Sequence, residues 1–401
     1  MAGTDPVRGA GNCATSPPPA ADRPPHPRGS GAEPLSRGPA NLGGQGIGGG
    51  DAGVGRIRRW WGGRGGRWTR RTLLAATLVV VVTLAAAGVA LRAQYAGAPG
   101  EDTRTRGRDA YWLGHAWVDG RKSDKDLDAF AAKLRGSGIK DLFVHTGPLD
   151  HDGTLPATRY PKARWLVEGV HRRLPDVRVQ AWLGDQLASE GPVGLRLGNP
   201  ATRTAVVATA RQVLDGAHFD GVHFDLEPLP SGDRNYLALL DSLHALTKPR
   251  GAVLSVAAHQ IDPLPALHSA AESLTGHGKW WAQAYFGQVA RRVDQIAVMS
   301  YDTAMPVQSL YGGYVARQTA LALQVTPKQT DLLMGLPFYD DESMSHHGSA
   351  ETVEAAVRGA RLGLARTDRH RQHFGVALYV DFAERDEDWA AYRKGWGRPW
   401  S

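Results

Sequence analysis

The ten residues from Phe219 to Pro228 read FDGVHFDLEP, and their polar members recur at every second position. As a strand, the run puts Val222, Phe224 and Leu226 on one face and Gly221, His223, Asp225 and Glu227 on the other. An imidazole and two carboxylates pointing one way are costly to bury for structure alone. Alternate positions set the backbones of Asp225 and Glu227 about 6.6 Å apart, close enough for one charge to raise the pKa of the other. A carboxylic acid held protonated near neutrality in this way can donate its proton to a leaving group. Taken alone, the same residues also fit a layer of salt bridges inside a barrel, or an acid pair facing a turn.

A strand of this kind needs neighbours, and the chain supplies them. Short apolar runs at 110–118, 141–145, 177–183, 219–226, 252–258, 295–301, 331–336 and 375–381 alternate with helical patterns. The clearest helix has Asn199 as N-cap, Pro200 at its first position and Gly216 as terminator; others begin near Ser123, Ser231 and Ser349. Eight strands alternating with helices over residues 109–401 predict a (β/α)8 TIM barrel, with a doubly wound open sheet as the runner-up. Barrel chemistry gathers at the C-terminal ends of strands. There the sequence sets His145, Asp185, Glu227, His259, Asp302, Asp340 and Asp381. Trp112, Trp117 and Trp182 read as packing residues, as tryptophans in a barrel often are.

Upstream the composition changes. Residues 1–71 hold 18 Gly and 9 Pro, with 11 Arg against 4 acids, so this tail alone accounts for the net charge of +7. The rest of the chain is formally neutral, which removes any electrostatic case for nucleic-acid binding by the folded part. The tail reads as disordered. Its single cysteine, Cys13, permits no intramolecular disulfide. From Thr72 to Leu91 run twenty uncharged residues, enough to span about 30 Å of hydrocarbon as a helix. Seven arginines precede the run and four follow it, which predicts a cytoplasmic N-terminus, a single-pass anchor and an extracytoplasmic C-terminal domain beyond a linker at 92–108. The rival is an export signal, with Arg70-Arg71 in a twin-arginine pattern and cleavage near Ala98. The arginine-rich RRWWGGRGGRWTRR stretch also fits RNA, but its place beside the apolar run favours anionic lipid headgroups.

Three runs carry a resemblance to a known family. Asp220-Gly221-Val222-His223-Phe224-Asp225-Leu226-Glu227 resembles the DGxDxDxE signature of glycoside hydrolase family 18, the chitinases and endo-β-N-acetylglucosaminidases. Met299-Ser300-Tyr301-Asp302 is similar to its MxYD run, and Met334-Gly335-Leu336-Pro337-Phe338-Tyr339 to its GLPFYG run. The resemblance implies Glu227 as proton donor, Asp225 orienting a 2-acetamido group and Tyr301 bonding its carbonyl oxygen. It implies His223, Met299, Asp302, Tyr339 and Tyr379 as substrate-binding residues. It further implies hydrolysis of β-linked N-acetylhexosamine glycans with retention, the acetamido oxygen acting as nucleophile, and neither metal nor organic cofactor.

The match has departures. His223 stands where the family usually has an aspartate, Leu226 and Tyr379 replace tryptophans, and Asp340 replaces a glycine. A catalytically inactive glycan-binding module on the same barrel is therefore the alternative. Asp340, Asp341, Glu342, His346 and His347 lie together but match no metal-ligand spacing, and read as a solvated loop. Oligomeric state is left open.

Overall fold

The computed structural model describes residues 64–188, 193–264 and 280–397; of the tail expected to be disordered, residues 1–63 with Cys13 fall outside the described residues, whereas 64–71 begin a helix. The strands are β1 (Asp109–Leu113), β2 (Ile139–Pro148), β3 (Arg178–Gln186), β4 (Gly221–Glu227), β5 (Val253–Ala258), β6 (Gln295–Val298), β7 (Asp331–Pro337) and β8 (Phe374–Tyr379). All neighbours pair in parallel, and the ring closes through β1 and β8. The expected (β/α)8 barrel is present.

Helix α1 (Arg64–Tyr95) precedes the barrel. The barrel helices are α2 (Asp124–Leu134), α3 (Ala163–Arg173), α4 (Pro200–Ala217), α5 (Arg234–Thr247), α6 (Gln283–Ala290), α7 (Gln308–Val325), α8 (Val353–Thr367) and α9 (Asp386–Gly395), one after each strand.

Local chemistry sets the ends. Ser123 and Asp126 form a reciprocal capping box at the start of α2, and the Asn199 side chain accepts from Ala201 N–H at the start of α4. The stop of α4 is two residues later than expected, at His218, which takes the left-handed conformation (φ 60°) in place of Gly216. The caps of α5 and α8 are Asp233 and Thr352, whose side chains reach the first-turn N–H groups that Ser231 and Ser349 do not. The sixth run ends as a strand at Val298, so Met299, Ser300 and Tyr301 leave the sheet at its C-terminal rim.

Alternation divides the side chains as the pattern of β4 requires. Val222, Phe224 and Leu226 join the apolar layer between strands and helices, whereas Ala110, Trp112, Phe143, Trp182, Ala297, Leu333 and Ala377 fill the barrel interior. Below them, at the N-terminal end, lies a polar layer. Asp141 accepts two bonds from Arg178, at 2.8 and 2.7 Å, one from Gln180 (2.8 Å) and one from Gln295 (3.0 Å).

Two compact units divide the described residues, 64–88 and 89–397. In the first, Leu73, Leu74, Leu78 and Leu84 are exposed along an apolar helix. In the second, the last turn of α1 is seated on α7 and α8. A Cβ on Gly313 would come 1.9 Å from Leu91 O, and one on Gly312 2.2 Å from the Tyr95 ring. Arg358 lies over that ring (4.7 Å) and donates to the carbonyls of Tyr95 (3.1 Å) and Gly97 (2.7 Å). Arg366 holds the carbonyls of Gln94 and Ala96, and Arg361 donates to Gly100 O (2.9 Å) and Thr103 Oγ1 (3.2 Å). The stretch expected as a linker is thus bonded to the barrel along much of its length.

Candidate active site

Strand β4 ends at the rim with Glu227, preceded on the same face by Asp225 and His223. The three occupy different depths. His223 is fully buried and both its nitrogens are committed: Trp112 Nε1 donates to Nε2 (3.1 Å), which leaves Nδ1–H to donate to Ser255 Oγ (2.7 Å). Its ring stacks on Phe143 with centroids 3.8 Å apart. Burial drives its pKa well down, so it is a neutral imidazole. His223, expected as a substrate-binding residue, thus lies in the floor under the site with no exposed surface.

Asp225 stands one layer higher. Its Oδ2 accepts from Trp182 Nε1 (3.2 Å), and its buried Oδ1 has no hydrogen-bond partner. Burial raises its pKa, and the Trp182 bond offsets this only in part. Glu227, at the rim, is pushed further up by burial first and then by the charges of Asp225 and Asp302. Among the described residues no hydrogen bond to a fixed cation opposes that shift. His259 stands beside the acid, its Nδ1 3.7 Å from Glu227 Oε1. Leu229 N–H donates to His259 Nε2 (3.2 Å), which fixes the proton on Nδ1, facing the acid. Burial lowers the His259 pKa to about 4, so it faces Glu227 as a neutral donor.

The chain leaving β6, two strands round the ring from β4, supplies a second wall. Tyr301 is buried and stacks on Tyr379 (centroids 5.2 Å, planes 22° apart), while Tyr339 donates its hydroxyl to Asp302 Oδ1 (2.7 Å). Tyr379, at the end of β8, also meets Trp112 (5.6 Å), Trp182 (6.3 Å) and Tyr339 (6.0 Å), completing an aromatic floor where the sequence had replaced a tryptophan. The Glu227-Pro228 and Tyr379-Val380 peptide bonds are cis. Met299 is held through its backbone, its N–H to Ala258 O (3.0 Å) and its carbonyl to Gln260 Nε2 (3.0 Å).

The structure therefore gathers Asp225, Glu227, Tyr301, Asp302, Tyr339 and Tyr379 at one end of the barrel. Other strand-end residues are spent on packing. Asp381 accepts from Gly114 N–H and Trp117 Nε1 (both 2.7 Å), Asp185 pairs with His151, and Asp340 with Arg385. His346 departs from the solvated loop expected for it. It is buried, with Nδ1 3.1 Å from Asp302 Oδ1 and 3.5 Å from Glu351 Oε2, because two carboxylates draw it inward. These three side chains could hold a metal ion by spacing. Sequence reasoning missed Trp182 as a partner of Asp225, and Gln260 and Glu351 altogether. Ser255 carried a signal, since it stands opposite His223 in the register of β4 and β5.

No family model matches this chain, and no curated protein does. Among solved structures it is similar in fold to the spore cortex-lytic enzyme SleL of Bacillus megaterium QM B1551, at 14% identity over 73% of this chain and 75% of that one (TM-score 0.52). It is likewise similar to SleL of Bacillus cereus, at 12% identity over 73% and 76% (TM-score 0.50). A class V chitinase from Pseudomonas fluorescens Pf-5 aligns at 13% identity over 72% and 98% (TM-score 0.48). The barrel of this chain is thus one also found in the two spore cortex-lytic enzymes.

Proposed function

We propose that this protein is a membrane-anchored glycoside hydrolase acting outside the cytoplasmic membrane on β-linked N-acetylhexosamine glycans, with retention of configuration. The observation that carries the reading is the Asp225–Glu227 pair at the mouth of the barrel, both acids pushed up and Asp225 Oδ1 left without a partner. Glu227 gives its proton to the glycosidic oxygen as that oxygen leaves the anomeric carbon. The substrate's own acetamido oxygen attacks the carbon, Asp225 accepting the acetamido N–H through its open oxygen and Tyr301 donating to the acetamido oxygen. Water then opens the oxazolinium ion, and the Glu227 carboxylate takes its proton. Two acids leaving one strand in one direction are poorly set to flank a sugar from both faces, which argues against an enzyme nucleophile. His259 Nδ1–H stands ready to stabilise the Glu227 carboxylate formed midway.

Similarity to two cortex-lytic enzymes favours cell-envelope glycan within that substrate class. The glycine seat of Leu91 and Tyr95, with arginines holding the carbonyls of Gln94, Ala96 and Gly97, favours an uncleaved anchor over a signal removed near Ala98. One observation favours a second reading, a glycan-binding module: His223 is turned away from Asp225 and cannot share a proton with it. The test is the full chain in detergent micelles beside its Glu227→Gln variant, incubated with chito-oligosaccharides and with purified peptidoglycan, products read by mass spectrometry. Cleavage that vanishes in the variant supports the hydrolase; binding by both proteins without product moves the assignment to the module.

A further inference from the structure

The loop that carries Tyr301 and Asp302 is held in an unfavourable shape. Asp302 and Ala304 both sit at positive φ, 55° and 56°, a region that residues other than glycine rarely adopt. Such a conformation persists only where its surroundings over-determine it, and here they do. On one side buried Gln260 donates to the carbonyls of Met299 (3.0 Å) and Tyr301 (2.7 Å). On the other, Glu351, buried just ahead of the α8 cap, accepts Thr303 N–H with both carboxylate oxygens (2.9 and 3.2 Å) and the Thr303 hydroxyl at 3.0 Å. Ala304 N–H donates to Ser345 O (2.7 Å), so the strained turn and the 345–351 segment are bonded at successive residues.

His346 closes the arrangement. Its ring lies 4.4 Å from that of Tyr339, and its Nδ1 is aimed between Asp302 and Glu351 without being aligned on either. From this geometry we infer that Glu351 is a positioning residue: it fixes the backbone of the 302–304 turn on one side, as Gln260 does on the other, and so holds Tyr301 and Asp302 towards Glu227. The inference rests on the hydrolase reading for its effect on turnover, but not for the state of the clamp itself.

The experiment compares the full chain in micelles with its Glu351→Ala and Glu351→Gln variants. Three readouts are taken: kcat and KM on the oligosaccharide the wild type cleaves, melting by circular dichroism, and amide hydrogen exchange at Thr303 and Ala304. Glu351→Ala should lower kcat about 100-fold with a much smaller change in KM, the loss expected when a catalytic group is displaced by about 1 Å. It should also speed exchange at Thr303 and Ala304 by about 10-fold or more, since the turn loses its acceptor. Glu351→Gln, which keeps one acceptor for Thr303, should recover part of both losses. Unchanged kcat in Glu351→Ala overturns the inference, as does exchange at Thr303 and Ala304 that the substitution leaves unchanged. So does stoichiometric binding of Zn²⁺ or Mn²⁺ by the wild type that Glu351→Ala abolishes, since the trio is then a metal site. If the wild type turns nothing over, the hydrolase reading fails by itself and the exchange readout still decides the clamp.

Discussion

Two carboxylate layers lie at opposite ends of the same barrel, and the protein treats them differently. At the N-terminal end Asp141 is fully buried, yet every acceptor position is answered by the Arg178 fork and the Gln180 and Gln295 amides. At the C-terminal end Asp225 has one weak partner and an empty oxygen, and Glu227 has two acids and a neutral imidazole for neighbours. The first layer neutralises its charge with a paired cation, as buried ions require. The second leaves Asp225 unpaired and keeps a proton on Glu227, which is unprofitable for stability and useful for proton transfer. Burial of an acid therefore says little about its role; the company it keeps says more.

The contrast can be broken at either end. Glu227→Gln should lower turnover about 10³-fold, the scale of a lost general acid, with glycan binding retained, as read by product formation beside calorimetric titration. Asp141→Ala should do the reverse, costing about 1–3 kcal/mol in denaturant unfolding because the buried Gln180 and Gln295 amides lose the acceptor they share, while turnover per folded molecule stays near wild type. Asp225→Asn should lower kcat about 10²-fold, since an amide can meet the acetamido N–H only through its neutral oxygen. Wild-type turnover should fall as pH rises through the raised Glu227 pKa, because only the protonated form donates, and a pH–rate profile checks that limb.

The smallest effect is on stability. A carboxyl whose pKa is higher folded than unfolded binds its proton more tightly in the fold, so folding is favoured below the ordinary carboxylate pKa. That advantage is lost as pH climbs towards the folded value. Glutamine never ionises, so Glu227→Gln should melt about 3 °C above wild type at pH 8 and close to it at pH 4, by differential scanning calorimetry.

Much of this was legible in the chain. Period-two alternation in β4 and the alternation of apolar runs with helical patterns made the barrel, its inward face and the acids near its rim legible, because these follow from residues within a few positions of one another. The partners of those acids were not. Trp182 meets Asp225, Ser255 meets His223 and Glu351 meets Thr303 across 43, 32 and 48 positions, and only the closed sheet brings them together. His346 illustrates the limit: its neighbours in sequence made a polar loop, and its neighbours in space made it buried. His223 was legible as inward-facing, but that Trp112 would occupy its free nitrogen depended on the first strand closing the ring.

The most direct test of a protonated acid at the barrel mouth is an infrared difference spectrum, wild type minus Glu227→Gln, recorded on the full chain at pH 7. The account predicts the carbonyl stretch of a neutral carboxylic acid that disappears at alkaline pH, whereas a carboxylate band in its place at pH 7 would contradict it.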